Sequence, residues 1–338
     1  MNASASASER SGPLDRETFL AEIALTCEPV VLRGLCRDWP ATQAGLASRE
    51  ALFACLRSFD SGRMVEAFVG EEGIAGRYDY AAGLDGFNFA REAMPFDAAL
   101  TRMGAAAESP DGGSIYVGSL PVESFLPGFE REHRLAALPG GVRQHVWLGT
   151  ASTVACHYDT FDNFACVVAG QRRFTLYPPD AIGDLYIGPI DFTMAGQPTS
   201  LAASAPPDDP RYPRFAAAQE RALTIDLAPG DVLYLPKLWW HSVEATAPFN
   251  MLVNFWWDEF AIGPDAPYTA MLLAMIAISE RPKRERAAWR AYFDHYVFRG
   301  QGHPLAHLPE DKHGALGPLA QGNYGRIRAQ VMKWLRGG

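Results

Sequence analysis

Three side chains in this sequence have the types and spacing of a divalent metal site: His157, Asp159 and His241. His157 and Asp159 are two residues apart in an apolar, β-like run, so on a strand both side chains would project from one face. His241 begins another such run much further along the chain and could supply a third ligand. Two imidazoles and one carboxylate can occupy one face of an octahedral metal ion and leave the opposite positions open for reactants.

Each of these residues also has an ordinary interpretation. An H-x-D triplet occurs by chance in many proteins, and a single histidine before a strand is more often a hydrogen-bonded structural residue. The triplet combined with a distal histidine is the stronger signal, because together they form a complete set of three ligands. The hypothesis therefore requires the intervening β-rich region to bring His157, Asp159 and His241 together.

Short apolar or alternating runs follow one another from residue 114 onward and predict the strands that would carry this site. Turn sequences with glycine, proline or aspartate separate several of these runs. Many short strands in succession are typical of a barrel or a sandwich. The predicted strands cover residues 114–118, 144–149, 153–158, 163–169, 172–177, 223–227, 232–235, 242–246 and 250–257.

The regions around these strands have a different texture, and the whole pattern predicts a mainly β protein with flanking helices. Residues 1–13 are small and polar, which predicts a flexible tail. Mixed patterns over 14–113 predict an α+β section that packs on a barrel of residues 114–260, whose insertion at about 180–221 is rich in proline and alanine. Residues 261–338 are predicted to be helical, and their two apolar stripes must either cover the barrel or pair with another copy of the chain, as a homodimer.

The composition excludes several classes of protein. The 338 residues include 39 acidic and 30 basic ones and carry a net charge of -9, with no block of five like charges, which argues against a nucleic-acid partner. The five cysteines include no C-x-x-C pair and predict neither a disulfide framework nor a structural zinc site. The sequence shows no signal-peptide pattern and no apolar run of membrane-spanning length, so we expect a cytoplasmic protein with no membrane partner.

Three segments carry a family resemblance: WLGTASTVACHYDTFDNFACVVAGQRRFTLYPPD, PGDVLYLPKLWWHSVEA and NMLVNFWW. They resemble the cupin-like branch of the JmjC oxygenases, the group that includes the asparaginyl hydroxylase that inhibits hypoxia-inducible factor. The likeness runs from residue 28 to residue 258. It implies a double-stranded β-helix that uses Fe(II), 2-oxoglutarate and O2, with His157, Asp159 and His241 as iron ligands. It also implies hydroxylation of a C–H bond on a protein or peptide side chain, while a small-molecule substrate stays open.

The resemblance further implies which residues would bind 2-oxoglutarate. Arg172 falls where the family commonly has a lysine, and a guanidinium there would hold the distal carboxylate in a two-pronged salt bridge. Tyr116 matches a family tyrosine that donates to the same carboxylate, while Asn163 and Asn254 match polar positions near the metal. Thr153 is a weaker match, because the family's hydroxyl residue is one place closer to the first ligand, where this chain has Val154, and Thr153 points to the other face from that position unless a bulge intervenes. Each of these residues could instead be a hydrogen-bonded core group, or, for Arg172, a solvated charge at a strand end.

Two other functions stay open on the sequence alone. A metal-dependent cupin enzyme that does not use 2-oxoglutarate becomes the better interpretation if Arg172 points outward. A non-enzymatic cupin-like binding module would keep the barrel without turnover, although an intact set of ligands argues against it. Four tryptophans could line a substrate mouth or fill the core, and we expect at least half of them in the core: Trp239, Trp240, Trp256 and Trp257.

Overall fold

The described residues build one twelve-stranded sheet, which confirms the expected mainly β class with flanking helices. The computed structural model describes residues 7–81, 86–109, 113–191, 193, 196–206 and 208–337. Within these residues the strands are β1 (Ser8–Ser11), β2 (Val30–Arg33), β3 (Met64–Gly70), β4 (Arg77–Tyr78), β5 (Ala90–Pro95), β6 (Ser114–Pro121), β7 (Gln144–His157), β8 (Asp162–Ala169), β9 (Arg172–Tyr177), β10 (Leu223–Leu227), β11 (Val232–Leu235) and β12 (Trp240–Trp257). Neighbouring strands follow the order β1-β2-β11-β8-β12-β7-β6-β3-β5, while β9 pairs with β12 and β10, and β4 pairs with β7.

Two long strands replace four of the predicted short ones. The runs predicted at 144–149 and 153–158 both lie in β7, and those at 242–246 and 250–257 both lie in β12. The two long strands pair with each other, and their register shifts twice along the ladder. Because an extra residue in one strand bends it and increases its twist, such irregularities let a long ladder curve. The breaks predicted between these runs are therefore bends inside continuous strands.

Strand β8 lies inside the protein, with both faces covered. All eight of its residues are buried, and successive side chains point to opposite faces. Phe164 and Val168 join the larger apolar cluster, which also contains Phe19. Ala165 and Val167 join a second cluster on the other face, together with residues of β9 and β10. Coverage on both faces explains why this strand is a continuous apolar run in the sequence rather than an alternating one.

Residues 8–11 do not form a flexible tail, which corrects that prediction; residues 1–6 lie outside the described residues. Ser8–Ser11 form β1, which pairs in parallel with β2. Glu9 of β1 and Arg33 of β2 also form an ion pair at 2.6 Å. The backbone groups at an open sheet edge need partners, and a polar strand can provide them without any apolar period of its own.

The predicted 14–113 section contributes strands to the central sheet and does not merely pack on it, because β2, β3 and β5 are members of that sheet. One compact unit continues to Trp257, and a second begins at Asp258. The described helices of the first unit are α1 (Arg16–Glu22), α2 (Pro40–Ala47), α3 (Arg49–Arg57), α4 (Phe96–Glu108), α5 (Val122–Phe125), α6 (Phe129–Glu132), α7 (Leu201–Ser204) and α8 (Phe215–Gln219).

The second unit contains helices in its described residues: α9 (Pro267–Ile278), α10 (Lys283–Phe293) and α11 (Asn323–Leu335). Tyr324 and Arg328 of α11 both hydrogen-bond the Asp265 carboxylate, which ties α11 to the segment before α9. No residue of α9 is buried in the single chain. Among all described residues, no helix combines the length and the apolar character that crossing a membrane requires.

Candidate functional site

The structure brings the side chains of His157, Asp159 and His241 together at one point of the β7–β12 ladder. His157 ends β7, and its direct partner across the ladder is His241, the second residue of β12. The two imidazole centroids are 4.3 Å apart, and Asp159 Oδ2 lies 3.9 Å from His241 Nε2. One potential ligand atom from each side chain lies within 4.8 Å of the other two. A single ion with bonds of about 2.1 Å can bridge atoms at this spacing after small adjustments.

Both imidazoles keep the same nitrogen free for a metal. His157 Nδ1 lies 2.8 Å from the carbonyl oxygen of Ala155, and His241 Nδ1 lies 3.0 Å from that of Trp239. Because a carbonyl oxygen only accepts, each Nδ1–H is the donor, and Nε2 is the ring nitrogen left for a metal in both residues. Burial, reinforced by the neighbouring His157, lowers the pKa of His241 to about 4, although Asp159 opposes that shift. His241 is therefore neutral near pH 7, the form in which an imidazole binds a metal.

A bulge in β7 decides which neighbours of His157 face the site. His157 pairs with His241, but Val154 pairs with Val243, so β7 has one more residue than β12 over this interval. The extra residue shifts the alternation of side chains, and Val154 lines the cavity beside the site. Thr153 is not among the cavity-lining residues, and its backbone pairs with β4. This placement corrects the expectation that Thr153 binds the cosubstrate.

The three side chains open into a cavity of about 360 Å³ in the first unit. Aromatic rings form much of its wall, among them Phe68, Phe89 and Phe161. Apart from the two histidines, the ionisable lining residues outside tyrosine are Asp159 and Arg172, within the part of the chain that the structure describes. A cavity of this size, mostly apolar with a few convergent polar groups, is typical of a small-molecule or cofactor site.

Arg172 points into the cavity, and not outward as a strand-end charge. It is 3% exposed, lines the cavity, and its Nε has no hydrogen-bond partner in the described structure. Burial lowers the pKa of Arg172, and the nearby Tyr116 opposes the shift. Burial also raises the pKa of Tyr116, which keeps its phenol protonated and able to donate a hydrogen bond. The two side chains, from β9 and β6, are thus placed to receive an anionic group.

The two predicted asparagines meet on the same cavity wall. Asn254 of β12 donates through Nδ2 to Oδ1 of Asn163 in β8, at 2.7 Å. Both side chains are buried, and Asn254 Oδ1 has no hydrogen-bond partner within the described residues. Buried polar atoms in native proteins usually have partners, so this atom is a point where a ligand or a water can bind.

Residues of the 180–221 insertion also line the cavity, and sequence reasoning did not identify them individually. Gln197 and Thr199 lie in the wall. Next to them, Ser200 N–H donates to the carbonyl oxygen of Cys156 at 2.7 Å, which ties the insertion to the end of β7. No local pattern in the sequence predicts this contact, because it joins two segments that are distant along the chain.

One of the four tryptophans belongs to the site. Trp239, Trp240 and Trp257 are buried in apolar clusters, which confirms that at least half of the four fill the core. Trp256 instead lines the cavity, and its Nε1 donates to Asp159 Oδ2 at 3.1 Å. Strand alternation from Asn254 could have identified it, because residues i and i+2 share a face.

Comparisons with known proteins agree with this fold. The cupin-like domain family matches residues 16–262, most of the chain. Human HSPB1-associated protein 1 is 30% identical over 152 residues, covering 44% of this chain and 30% of that protein. Jumonji C domain-containing protein 5 of Drosophila melanogaster is 38% identical over 121 residues, covering 36% of this chain and 29% of that protein. The human bifunctional peptidase and (3S)-lysyl hydroxylase JMJD7 is 28% identical over 263 residues, covering 68% of this chain and 77% of that protein.

The chain therefore aligns with less than a third of human HSPB1-associated protein 1 but with most of the lysyl hydroxylase. The family match spans all strands from β2 to β12, and it confirms the double-stranded β-helix expected from the sequence. On this evidence the chain belongs to the cupin-like, JmjC-type family of proteins.

Proposed function

We propose that this protein is an Fe(II)- and 2-oxoglutarate-dependent oxygenase that hydroxylates a C–H bond. One observation carries the proposal: three convergent metal-ligand side chains and the buried Arg172 guanidinium face the same cavity. A metal site alone would fit many cupin enzymes. A cation beside the metal site, with no protein carboxylate paired to it among the described residues, specifically fits a cosubstrate that has a second carboxylate.

The residues present fit the implied groups. Two imidazoles and a carboxylate on one side of the site are the donor set of non-haem Fe(II) oxygenases. His157, Asp159 and His241 would hold the iron, and the guanidinium of Arg172 would bind the distal carboxylate of 2-oxoglutarate. The protonated phenol of Tyr116 would donate to the same carboxylate.

When bound, iron, 2-oxoglutarate and O2 supply C–H oxidation, with succinate and CO2 as the products of the keto acid. The protein contributes position and shielding. Arg172 and Tyr116 fix one end of the cosubstrate, so that its other end lies toward the ligand triad. The aromatic wall, which includes Phe68 and Phe89, excludes water from the region where the substrate bond would react.

We propose a protein or peptide side chain as the substrate. Support comes from the lysyl hydroxylase with which the chain aligns over 77% of that protein's length. A small molecule is the alternative, because relatives with one fold can act on unlike substrates. The cytoplasmic location expected from the sequence belongs to the same proposal, and fractionation of cells that express the tagged chain would test it.

Succinate production tests the function. Purified protein is incubated with 2-oxoglutarate, with and without Fe(II), and compared with His157→Ala and with His307→Ala, a control that removes an exposed histidine far from the triad in sequence. We expect iron-dependent succinate from the wild type and from His307→Ala, and none above background from His157→Ala. Absence of iron-dependent succinate from the wild type would refute the proposal. Iron binding without succinate formation would favour either a cupin enzyme that does not use 2-oxoglutarate or a non-enzymatic binding module.

We also propose that the protein forms a homodimer through its C-terminal helices. Helix α9 carries no charged residue and none of its residues is buried in the single chain; Met271 and Ile276 are 46% and 76% exposed. An uncharged helix of this kind requires an apolar cover in water. Light scattering should give twice the chain mass of 37.0 kDa for the wild type and the single mass for the double variant Met271→Glu/Ile276→Glu. The control Leu25→Glu, at an exposed apolar residue outside these helices, should keep the doubled mass. A monomeric wild type would contradict the dimer.

A further inference from the structure

Trp256 lines the cavity and hydrogen-bonds directly to the side chain of a candidate metal ligand, Asp159. It lies on β12, one residue before Trp257, and the two rings point to opposite faces of the strand. Trp257 packs into the apolar core, whereas the Trp256 ring forms part of the cavity wall. From there its indole Nε1 donates to Asp159 Oδ2 at 3.1 Å. The wall of the cavity and the candidate metal site are thus joined by one hydrogen bond.

The direction of this bond is unambiguous. An indole N–H only donates, and an ionised carboxylate only accepts. The indole itself is held in place, because its ring packs edge to face against Trp147, with centroids 5.8 Å apart, and lies 5.0 Å from the ring of His145. On the backbone side, the carbonyl oxygen of Asp159 accepts from Leu238 N–H at 2.8 Å. Asp159 is therefore restrained both at its main chain and at its carboxylate.

The restraint matters because a carboxylate can bind a metal through one oxygen or through both. An octahedral ion held by three protein atoms keeps three positions for reactants, and a carboxylate that binds through both oxygens removes one of them. A fixed donor on Oδ2, the oxygen that lies 3.9 Å from His241 Nε2, restrains the carboxylate from turning about its Cβ–Cγ bond toward that second mode. Groups that orient metal ligands in this way commonly change metal affinity by about 10- to 100-fold when they are removed.

We infer that Trp256 is a positioning residue that holds the Asp159 carboxylate in the orientation for binding the metal through one oxygen. The inference rests on the proposed metal site. It assigns to Trp256 a role beyond lining the cavity, and it separates Trp256 from the other tryptophan of that wall. Trp147 also lines the cavity, but its Nε1 has no hydrogen-bond partner among the described residues.

That difference provides a matched pair of variants. Trp256→Phe removes the N–H donor and keeps an aromatic ring. Trp147→Phe makes the same change where no hydrogen bond is lost, and its phenyl ring keeps an aromatic neighbour for the Trp256 indole. Mn(II) replaces the oxidation-sensitive iron, and free Mn(II) is followed by electron paramagnetic resonance during titration of the metal-free protein. We expect Trp256→Phe to weaken Mn(II) binding by about 10- to 100-fold and Trp147→Phe to stay within about twofold of the wild type.

A second measurement separates positioning from structure. The unfolding temperature of the metal-free proteins should shift by a similar amount for both variants. A purely structural role for Trp256 would instead lower the unfolding temperature of Trp256→Phe without a selective loss of Mn(II) affinity. Equal Mn(II) affinities for Trp256→Phe and the wild type, or equal losses for both variants, would overturn the inference and leave the proposed function standing. A wild type that binds Mn(II) no better than His157→Ala would refute the metal site and the inference with it.

Discussion

Replacing Arg172 with methionine should have opposite effects on cosubstrate binding and on the stability of the free protein. The guanidinium is 3% exposed, and no carboxylate among the described residues pairs with it. Removing one partner of a buried ion pair costs about 3–5 kcal/mol, so 2-oxoglutarate should bind roughly 10²- to 4 × 10³-fold more weakly. In the free protein the same change removes an unpaired buried charge, and we expect the free energy of unfolding to rise by about 1–4 kcal/mol.

Calorimetric titration of 2-oxoglutarate into the Mn(II)-loaded protein measures the first effect, because Mn(II) holds the site without turnover. Denaturant unfolding of the metal-free protein measures the second. Arg172→Lys is the control: it keeps the charge as a single point without the planar fork, so we expect an affinity loss of about tenfold and little gain in stability. A loss of 2-oxoglutarate affinity together with a gain in stability distinguishes a ligand-binding cation from a structural one.

Two results would refute this reasoning. If the methionine variant bound 2-oxoglutarate as tightly as the wild type, Arg172 would not hold the distal carboxylate. If instead the variant lost stability, the guanidinium would have structural partners that outweigh its burial. The second result would also return Arg172 to the alternative role of a satisfied core group.

Three further predictions concern stability. Phe19→Ala should lower the free energy of unfolding by about 3–5 kcal/mol in denaturant titration, because the ring is fully buried; a loss below about 1 kcal/mol would contradict the packing described. Gly170→Ala should lower the free energy of unfolding by at least about 2 kcal/mol and weaken 2-oxoglutarate binding. The reason is that φ is +76° at this position and an added Cβ would lie 2.2 Å from Asn250 Oδ1. An unchanged free energy of unfolding would refute the constraint. Burial lowers the pKa of His133 and of His145; the unfolded chain therefore takes up more protons, and stability should fall as pH drops below about 6.5, by at most about 1.4 kcal/mol per pH unit for each histidine. Metal-free His133→Gln should show a shallower pH slope, and an unchanged slope would exclude His133 as a source.

The sequence predicted most strands from β6 onward because the signals for a strand are local. Alternation, β-branched residues and the turn residues around 170 and 230 act within a few positions, and β9, β10 and β11 have the predicted bounds. Local patterns do not show whether two runs join into one bent strand, because that depends on a partner strand far away in the chain. The strand β1 was missed for the same reason: its residues are polar, and only the open edge of β2 makes them a strand.

The candidate ligands His157, Asp159 and His241 were visible in the sequence because metal chemistry demands particular residue types, and those types are rare in such a combination. Their meeting was not visible, because it depends on the register between β7 and β12. The same register contains the bulge that places Val154, and not Thr153, on the cavity wall. One added residue changes the face of every side chain beyond it.

By itself, then, the sequence determined the class of fold and the chemical types at the site, since both follow from residue identity and short-range periodicity. Tertiary structure alone decided that Arg172 faces inward with no carboxylate partner among the described residues, and that the indole of Trp256 reaches Asp159. Those properties belong to pairs of residues brought together by folding, and a side chain's burial and hydrogen bonds depend on neighbours that are distant along the chain.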